Sequence, residues 1–178
     1  MSSKRQLETL AQGQRLRLVK YGRWEFVQRT GASGVVIVIA VTEDEKLLFV
    51  EQYRAPVDSK VIEFPAGLIG DHVGQEDESS ENAAARELWE ETGYQAEKMT
   101  QVFVGASSAG LTDEMAIFLV AQGLKKVGPG EDVTSGKLKL HEIPLSDVNL
   151  WLQDAPSRDC LVGARVYSGL YLLSRFRQ

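Results

Sequence analysis

Three glutamates stand close together in the segment Arg86-Glu87-Leu88-Trp89-Glu90-Glu91-Thr92-Gly93. Glu87, Glu90 and Glu91 are spaced i, i+3 and i+4, which places all three on one face of a helix. Like charges so close repel one another, so the arrangement does not serve helix stability. A divalent cation would remove that cost. An all-oxygen donor set suits a hard ion, Mg2+ first and Mn2+ as its substitute. Arg86 is placed to brace the cluster through charge-assisted pairing. An ordinary solvated acidic face has the same composition, so the flanking residues must decide between the two readings.

The elements that would position the trio are legible around it. Ser79 or Ser80 can cap a helix, with Glu81 in its first turn at the favourable end of the dipole. Ala83 to Leu88 are mostly strong helix formers, and Gly93 stands where a helix-terminating glycine belongs. A loop rich in Gly and Asp, Gly67 to Glu78, enters this helix. Upstream, residues 15 to 29 alternate loosely around Tyr21-Gly22 and read as a hairpin. Gly34 to Val41 and Leu47 to Tyr53 read as strands, and Val61 to Phe64 as a short strand stopping at Pro65. Downstream, Met99 to Val104, Ala116 to Ala121 and Leu138 to Ile143 read as strands, with a Gly-rich loop over Lys125 to Gly136. A short helix is expected near Leu145 to Gln153. A last one is expected over Cys160 to Arg175, where Val162, Val166, Leu170 and Leu173 recur at helical spacing. The pattern is an α+β domain, an α/β/α sandwich with a mixed central sheet and an N-terminal β-hairpin extension, and not a clean βαβ alternation.

Composition narrows the function. The chain has 178 residues, enough to bury a core without staples, and is expected to form a single domain over 1–178. Hydrophobic residues make up 43% and charged residues 25%, as in soluble globular proteins. A net charge of -5 argues against binding long nucleic acid but not against a small anionic substrate whose charge a metal offsets. The single cysteine, Cys160, excludes an intrachain disulfide, and the two histidines, His72 and His141, lie far apart, so a structural zinc site is not expected. Met1 to Arg15 is polar, without a signal-peptide core, and no apolar run approaches membrane-spanning length. A cytoplasmic protein without membrane contact is the expectation.

The segment resembles the box of the Nudix hydrolase family. That box runs Gly, five residues, Glu, seven residues, Arg-Glu, an aliphatic residue, any residue, Glu-Glu, any residue, Gly, then an apolar residue. Here seven residues separate Glu78 from Arg86, and Arg86 to Tyr94 matches to the end. The departure is at the start, where ten residues separate Gly67 from Glu78, an apparent insertion in the loop Ile69 to Asp77. Further segments resemble the ADP-ribose pyrophosphatase branch: Trp24-Glu25-Phe26-Val27, Gln52-Tyr53-Arg54, Glu63-Phe64-Pro65-Ala66-Gly67, and Ser107 to Glu114. Where that branch has Pro before the glycine of its Ser-Pro-Gly loop, this chain has Ala109, which leaves room for other nucleoside-diphosphate sugars.

The resemblance implies Mg2+-dependent hydrolysis of a diphosphate in ADP-ribose or a similar sugar nucleotide. Metal would be held by Glu87, Glu90 and Glu91 with the carbonyl of Ala66. Arg86, Glu90 and Glu91 would be catalytic. The general base would come from a late loop, where Glu142 is favoured over Glu131 and Asp132. Ser108, Gly110 and Glu114 would face the substrate. Arg54, at a strand end, suits a phosphate or ribose contact through its forked guanidinium, Trp24 suits stacking on a base, and Glu63 suits the substrate or metal surroundings. Trp89 and Trp151 read as structural, His141 as a satisfied strand histidine and Cys160 as core. The branch also implies a homodimer in which residues 1–30, chiefly Arg15 to Arg29, reach the partner. Other readings are a hydrolase of dinucleotides, nucleoside triphosphates or capped RNA ends, and a nucleotide-binding module without turnover.

Overall fold

The computed structural model describes residues 6–72, 74 and 76–178. Strands β1 (Glu8–Gln12), β2 (Leu16–Tyr21), β3 (Trp24–Arg29), β4 (Val35–Ala40), β5 (Lys46–Arg54), β6 (Ser59–Glu63) and β7 (Ala66–Leu68) precede helix α1 (Ser80–Thr92). Then come β8 (Tyr94–Gln95), β9 (Lys98–Ala106), β10 (Met115–Gln122), β11 (Lys125–Lys126), the single turn α2 (Glu131–Thr134) and β12 (Lys139–Pro144). The chain ends with α3 (Val148–Gln153), β13 (Cys160–Val162) and α4 (Ala164–Phe176).

The β4 run is buried at every position because helices cover both of its faces. Val35, Ile37 and Ile39 pack with Phe49, Ile62, Phe64 and Phe118, beneath Val148 and Leu152 of α3 and Val166 and Leu173 of α4. Val36, Val38 and Ala40 turn the other way, onto Ala83, Ala84 and Leu88 of α1. A strand buried on both faces carries no polar alternation, which is why this segment reads as continuous Val and Ile. Its sheet has the order β7-β4-β10-β9 and is mixed: β4 runs parallel to β10 and antiparallel to β7. A second four-stranded sheet, β12-β5-β6-β13, stands beside it. The result is the expected α+β sandwich, with α1 on one side and α3 and α4 on the other. No helix among the described residues is long and apolar enough to cross a membrane.

One local expectation is extended and two are corrected. The N-terminal hairpin over 15–29 is part of a three-stranded antiparallel sheet, because residues 8–12 add β1 to it. The last helix does not begin at Cys160. Cys160–Val162 form β13, parallel to β6, and Gly163 caps α4. The apolar residues of the segment fit both periods, and only pairing with β6 makes the first three a strand. The late loop is also not bare, since it contains β11, paired with β8, and α2. Val73 and Gln75 of the lengthened loop, and residues 1–5 of the N-terminal extension, lie outside the described residues.

Candidate active site

Helix α1 carries the acid trio, and β7 provides the surface it faces. Ser79 caps the helix, its side chain accepting from the Asn82 N–H at 3.2 Å. Gly93 ends it in the left-handed region, φ 75. Glu91 is 5% exposed, and its Oε2 accepts the Ala66 N–H at 3.0 Å. In the ladder, Pro65 accepts from Val38 N–H and Gly34 accepts from Ile69 N–H. Ala66, opposite Ile37, therefore sits in a non-hydrogen-bonded pair, and its N–H and carbonyl both turn away from β4. Glu87 lies directly over Gly67: a Cβ there would stand 1.8 Å from the Glu87 carboxyl carbon. Residue 67 must be glycine for that carboxylate to sit where it does.

Arg86 supplies the cation of the cluster. Its Nη1 reaches Glu87 Oε1 at 2.7 Å and Glu90 Oε2 at 3.3 Å, its Nε reaches Glu78 Oε1 at 3.1 Å, and its Nη2 donates to the Leu68 carbonyl at 3.0 Å. Burial opposes the Arg86 charge, but the carboxylates of Glu78 and Glu87 outweigh it and raise the pKa. Glu78 is held below the usual carboxylate range, chiefly by its hydrogen bond to Arg86. Glu87 is raised by burial, against the pull of Arg86. Glu91 is raised well above the usual range, again by burial, with the charges of Glu87 and Asp132 adding to the shift. Asp71, 3.7 Å from Arg86, has a buried Oδ1 without a hydrogen bond.

Among the described residues no three His, Cys, Asp or Glu side chains already converge on one point able to hold an ion; Arg86 engages Glu87 and Glu90 instead. The donors nonetheless fit a hard divalent cation. Glu91 is a buried carboxylate with a single N–H against it and other carboxylates pressing on its charge, a state that a cation relieves. The Glu87 cradle over Gly67 brings a second carboxylate to the same strand.

The late-loop carboxylates separate. Glu142 pairs with Lys126 at 2.6 Å, and Tyr94 hydrogen-bonds to it. Burial, then that bond, pushes the Tyr94 hydroxyl up to about 12. Glu142 thus faces Lys126 and Tyr94, beyond the end of α1. Asp132, in α2, has its charge bearing on Glu91 and its Oδ1 held by Lys137 Nζ at 2.6 Å. His141 accounts for itself: its Nε2 meets Glu51 Oε2 at 2.9 Å beside the Trp151 ring, and burial lowers its pKa.

At the end of β5, Arg54 Nε pairs with Glu63 Oε2 at 2.7 Å, and the Arg54 charge also acts on Glu91. A cleft of about 470 Å³ is lined by Tyr21, Trp24, Phe26, Gly110 and Asp113 among others. Trp24 is 56% exposed there, so it is not a core residue. Ser108 and Gly110 belong to a turn closed by Leu111 and Thr112 N–H donating to the Ser108 carbonyl. Glu114 is held between Arg29 Nε, 2.8 Å, and Arg165 Nη2, 3.4 Å.

Comparison with known proteins places these features in a family. The family model described as NUDIX domain matches residues 32–148. The chain belongs to the Nudix family. It is 42% identical over 93 residues to a methanol dehydrogenase activator of Bacillus methanolicus, covering 52% of this chain and 48% of that one. It is 31% identical over 154 residues to an ADP-ribose pyrophosphatase of Bacillus subtilis, covering 86% of this chain and 77% of that one. The chain therefore spans about half the length of the first relative and more than two thirds of the second. A crystal structure of an ADP compounds hydrolase superposes with a TM-score of 0.74 over 96% of this chain and 91% of the other, at 22% identity, which speaks to the fold alone.

Several contacts of this Nudix site have no counterpart in the sequence reading. Arg165 reaches Ser107 and Glu114 across 51 and more residues, and Gln28 reaches Asp113 across 85. Nothing local marks Arg165, which occupies the first turn of an apolar helix. The pairing of Gly67 with Glu87 was partly visible, since both belong to the box, but the reason for the glycine was not.

Proposed function

We propose that this Nudix chain hydrolyses the diphosphate of ADP-ribose or a related nucleoside-diphosphate sugar, using Mg2+ or in its place Mn2+, to give a nucleoside monophosphate and a sugar phosphate. The observation that carries the reading is Glu91. It is a nearly buried carboxylate, bound by the Ala66 N–H, on one helix face with Glu87 and Glu90. Similarity to the Bacillus subtilis ADP-ribose pyrophosphatase over most of this chain supports the substrate class.

Glu87, Glu90, Glu91 and the Ala66 carbonyl would hold the cation. When bound, it would neutralise diphosphate charge and acidify a water. Arg86 keeps Glu87 and Glu90 oriented on one face and bridges them to Glu78. Asp132 takes the proton of the attacking water in place of Glu142, a role supported by the packing of its turn on the Glu90–Thr92 backbone and by its charge acting on Glu91. The water oxygen bonds to one phosphorus, and the bridging oxygen leaves with the other phosphate. Arg54, steadied by Glu63, contacts a phosphate or ribose oxygen. Trp24 offers its exposed ring to the base, in the cleft that Gly110 also lines. Ser108 and Glu114 shape the loop beside it.

We further propose a homodimer built on the N-terminal sheet, which leaves Leu10, Leu16, Leu18 and Tyr21 exposed, with the chain acting as one Nudix unit in the cytoplasm. A monomeric mass at working concentration would contradict the dimer. The deciding experiment is product release from ADP-ribose and a panel of nucleoside-diphosphate sugars, with and without Mg2+, beside Glu91→Gln. Metal-dependent release abolished in the variant is expected. No release from any member by folded protein would overturn the reading in favour of nucleotide binding without turnover.

A further inference from the structure

The segment Val127-Gly128-Pro129-Gly130 lies against the C-terminal end of α1. Val127 N–H donates to the Gly93 carbonyl at 2.9 Å, and a Cβ at Gly93 would stand 2.0 Å from the Gly128 oxygen. Gly130 comes against the acid-bearing turn itself. A Cβ built on it would lie 2.8 Å from the Glu90 oxygen, the Glu91 carbonyl carbon and the Thr92 nitrogen. These are main-chain atoms, which cannot swing aside as a side-chain end can.

Gly130 has φ -61 and ψ 147, a conformation open to any residue. Its need for glycine is therefore not a matter of backbone freedom but of contact. From Gly130 the chain enters α2, with Thr134 N–H and Oγ1 both donating to the Gly130 carbonyl, at 3.0 and 2.9 Å. Asp132 lies on this one turn. The seat of Gly130 on α1 and the bonds from Thr134 are thus the connection between the Glu90–Glu91 backbone and Asp132.

We propose that Gly130 is a positioning residue for hydrolysis: its missing side chain lets α2 seat directly on the backbone of Glu90 to Thr92 and so sets the reach of Asp132 to the acid cluster. This rests on Asp132 being the base. Gly130→Ala inserts a wedge between the two without straining the chain. Gly128 is the matched control, since a Cβ there meets nothing within 4 Å.

The test is kcat and KM for ADP-ribose, at the Mg2+ concentration that saturates the parent and at about tenfold above it, for Gly130→Ala, Gly128→Ala, Asp132→Asn and the Gly130→Ala/Asp132→Asn pair. Gly130→Ala should lower kcat by about tenfold or more, as displacement of a reacting group by a fraction of an ångström does. Its KM should stay within about twofold and Gly128→Ala should match the parent. The double variant should be no slower than Asp132→Asn alone. Thr134→Val, which loosens the same seat without bulk, should lower kcat several-fold and keeps the test open if Gly130→Ala does not fold. A Gly130→Ala kcat within about twofold of the parent, beside an impaired Asp132→Asn, overturns this proposal alone. So does a loss that multiplies in the double variant, or one rescued by more Mg2+, which would mean that α1 moved instead. Full activity of Asp132→Asn would overturn the assignment of the base, and this proposal with it.

Discussion

The Glu87 carboxylate occupies the space in which a side chain on residue 67 would begin, 1.8 Å from the position of that missing Cβ. The turn of α1 that bears Glu87 and the strand β7 are thereby locked together. Gly67→Ala must push Glu87 aside, since the obstructing group is its own carboxylate. The expected result is a rise of about 10- to 100-fold in the Mg2+ concentration giving half-maximal rate, with kcat partly recovered at high Mg2+. A metal titration of the initial rate checks this, and an unchanged half-saturation point would contradict it.

Burial raises the Glu91 carboxyl above its ordinary 4.5, and burial raises Glu87 in the same direction. A carboxyl that holds its proton more tightly when folded contributes stability at low pH. That contribution is lost as pH climbs from 4.5 through the folded value. In chelator, Glu91→Gln should therefore melt close to the parent near pH 4.5 and increasingly above it towards neutrality, by about 2–4 °C for each kcal/mol removed. Adding Mg2+ at neutral pH should raise the parent's melting temperature and not the variant's. Differential scanning measurements with and without metal decide the matter.

Of the candidate bases Glu131, Asp132 and Glu142, the one proposed is Asp132, whose surroundings differ from those of Glu142. Asp132→Asn should lower kcat by about 100-fold or more, in the range of a lost general base. Glu142→Gln removes only an ion pair with Lys126 and a bond from Tyr94, so its kcat should stay within about twofold of the parent. Steady-state rates of the two variants at saturating substrate suffice; the opposite ranking would return the role to Glu142.

Trp24 is more than half exposed in its cleft, so little stability rests on its burial and the proposed stacking can be tested separately. Trp24→Ala should raise KM by about tenfold, the equivalent of one lost base-stacking contact. Its kcat should change little, and unfolding stability should move by no more than about 0.5 kcal/mol. An unaltered KM for every nucleotide in the panel would remove Trp24 from the substrate site.

The acid trio, its capped helix, the closing glycine and the buried β4 were all determined by local chemistry. Helical spacing puts Glu87, Glu90 and Glu91 on one face whatever surrounds them, Ser79 and Gly93 mark the ends by their capping geometry, and a Val/Ile run without polar alternation has to be covered on both sides. The rest depended on contacts between distant segments, which no local pattern encodes. Residues 160–162 carry apolar spacing suited to a helix or a strand, and only the free edge of β6 made them a strand. Glu142 and Asp132 are both acidic residues of the late segment. The turn that carries Asp132 packs onto α1 through a glycine 39 positions beyond Glu91, while β12 turns Glu142 towards Lys126 and Tyr94, and neither placement is written in the local sequence. Arg165 joins the Ser107 to Glu114 loop only because α4 folds back beside β9 and places a guanidinium against Ser107 and Glu114. Spacing along one element sets which side chains share a face, but the distance between elements is set by what each leaves room for, and that is a property of the folded chain.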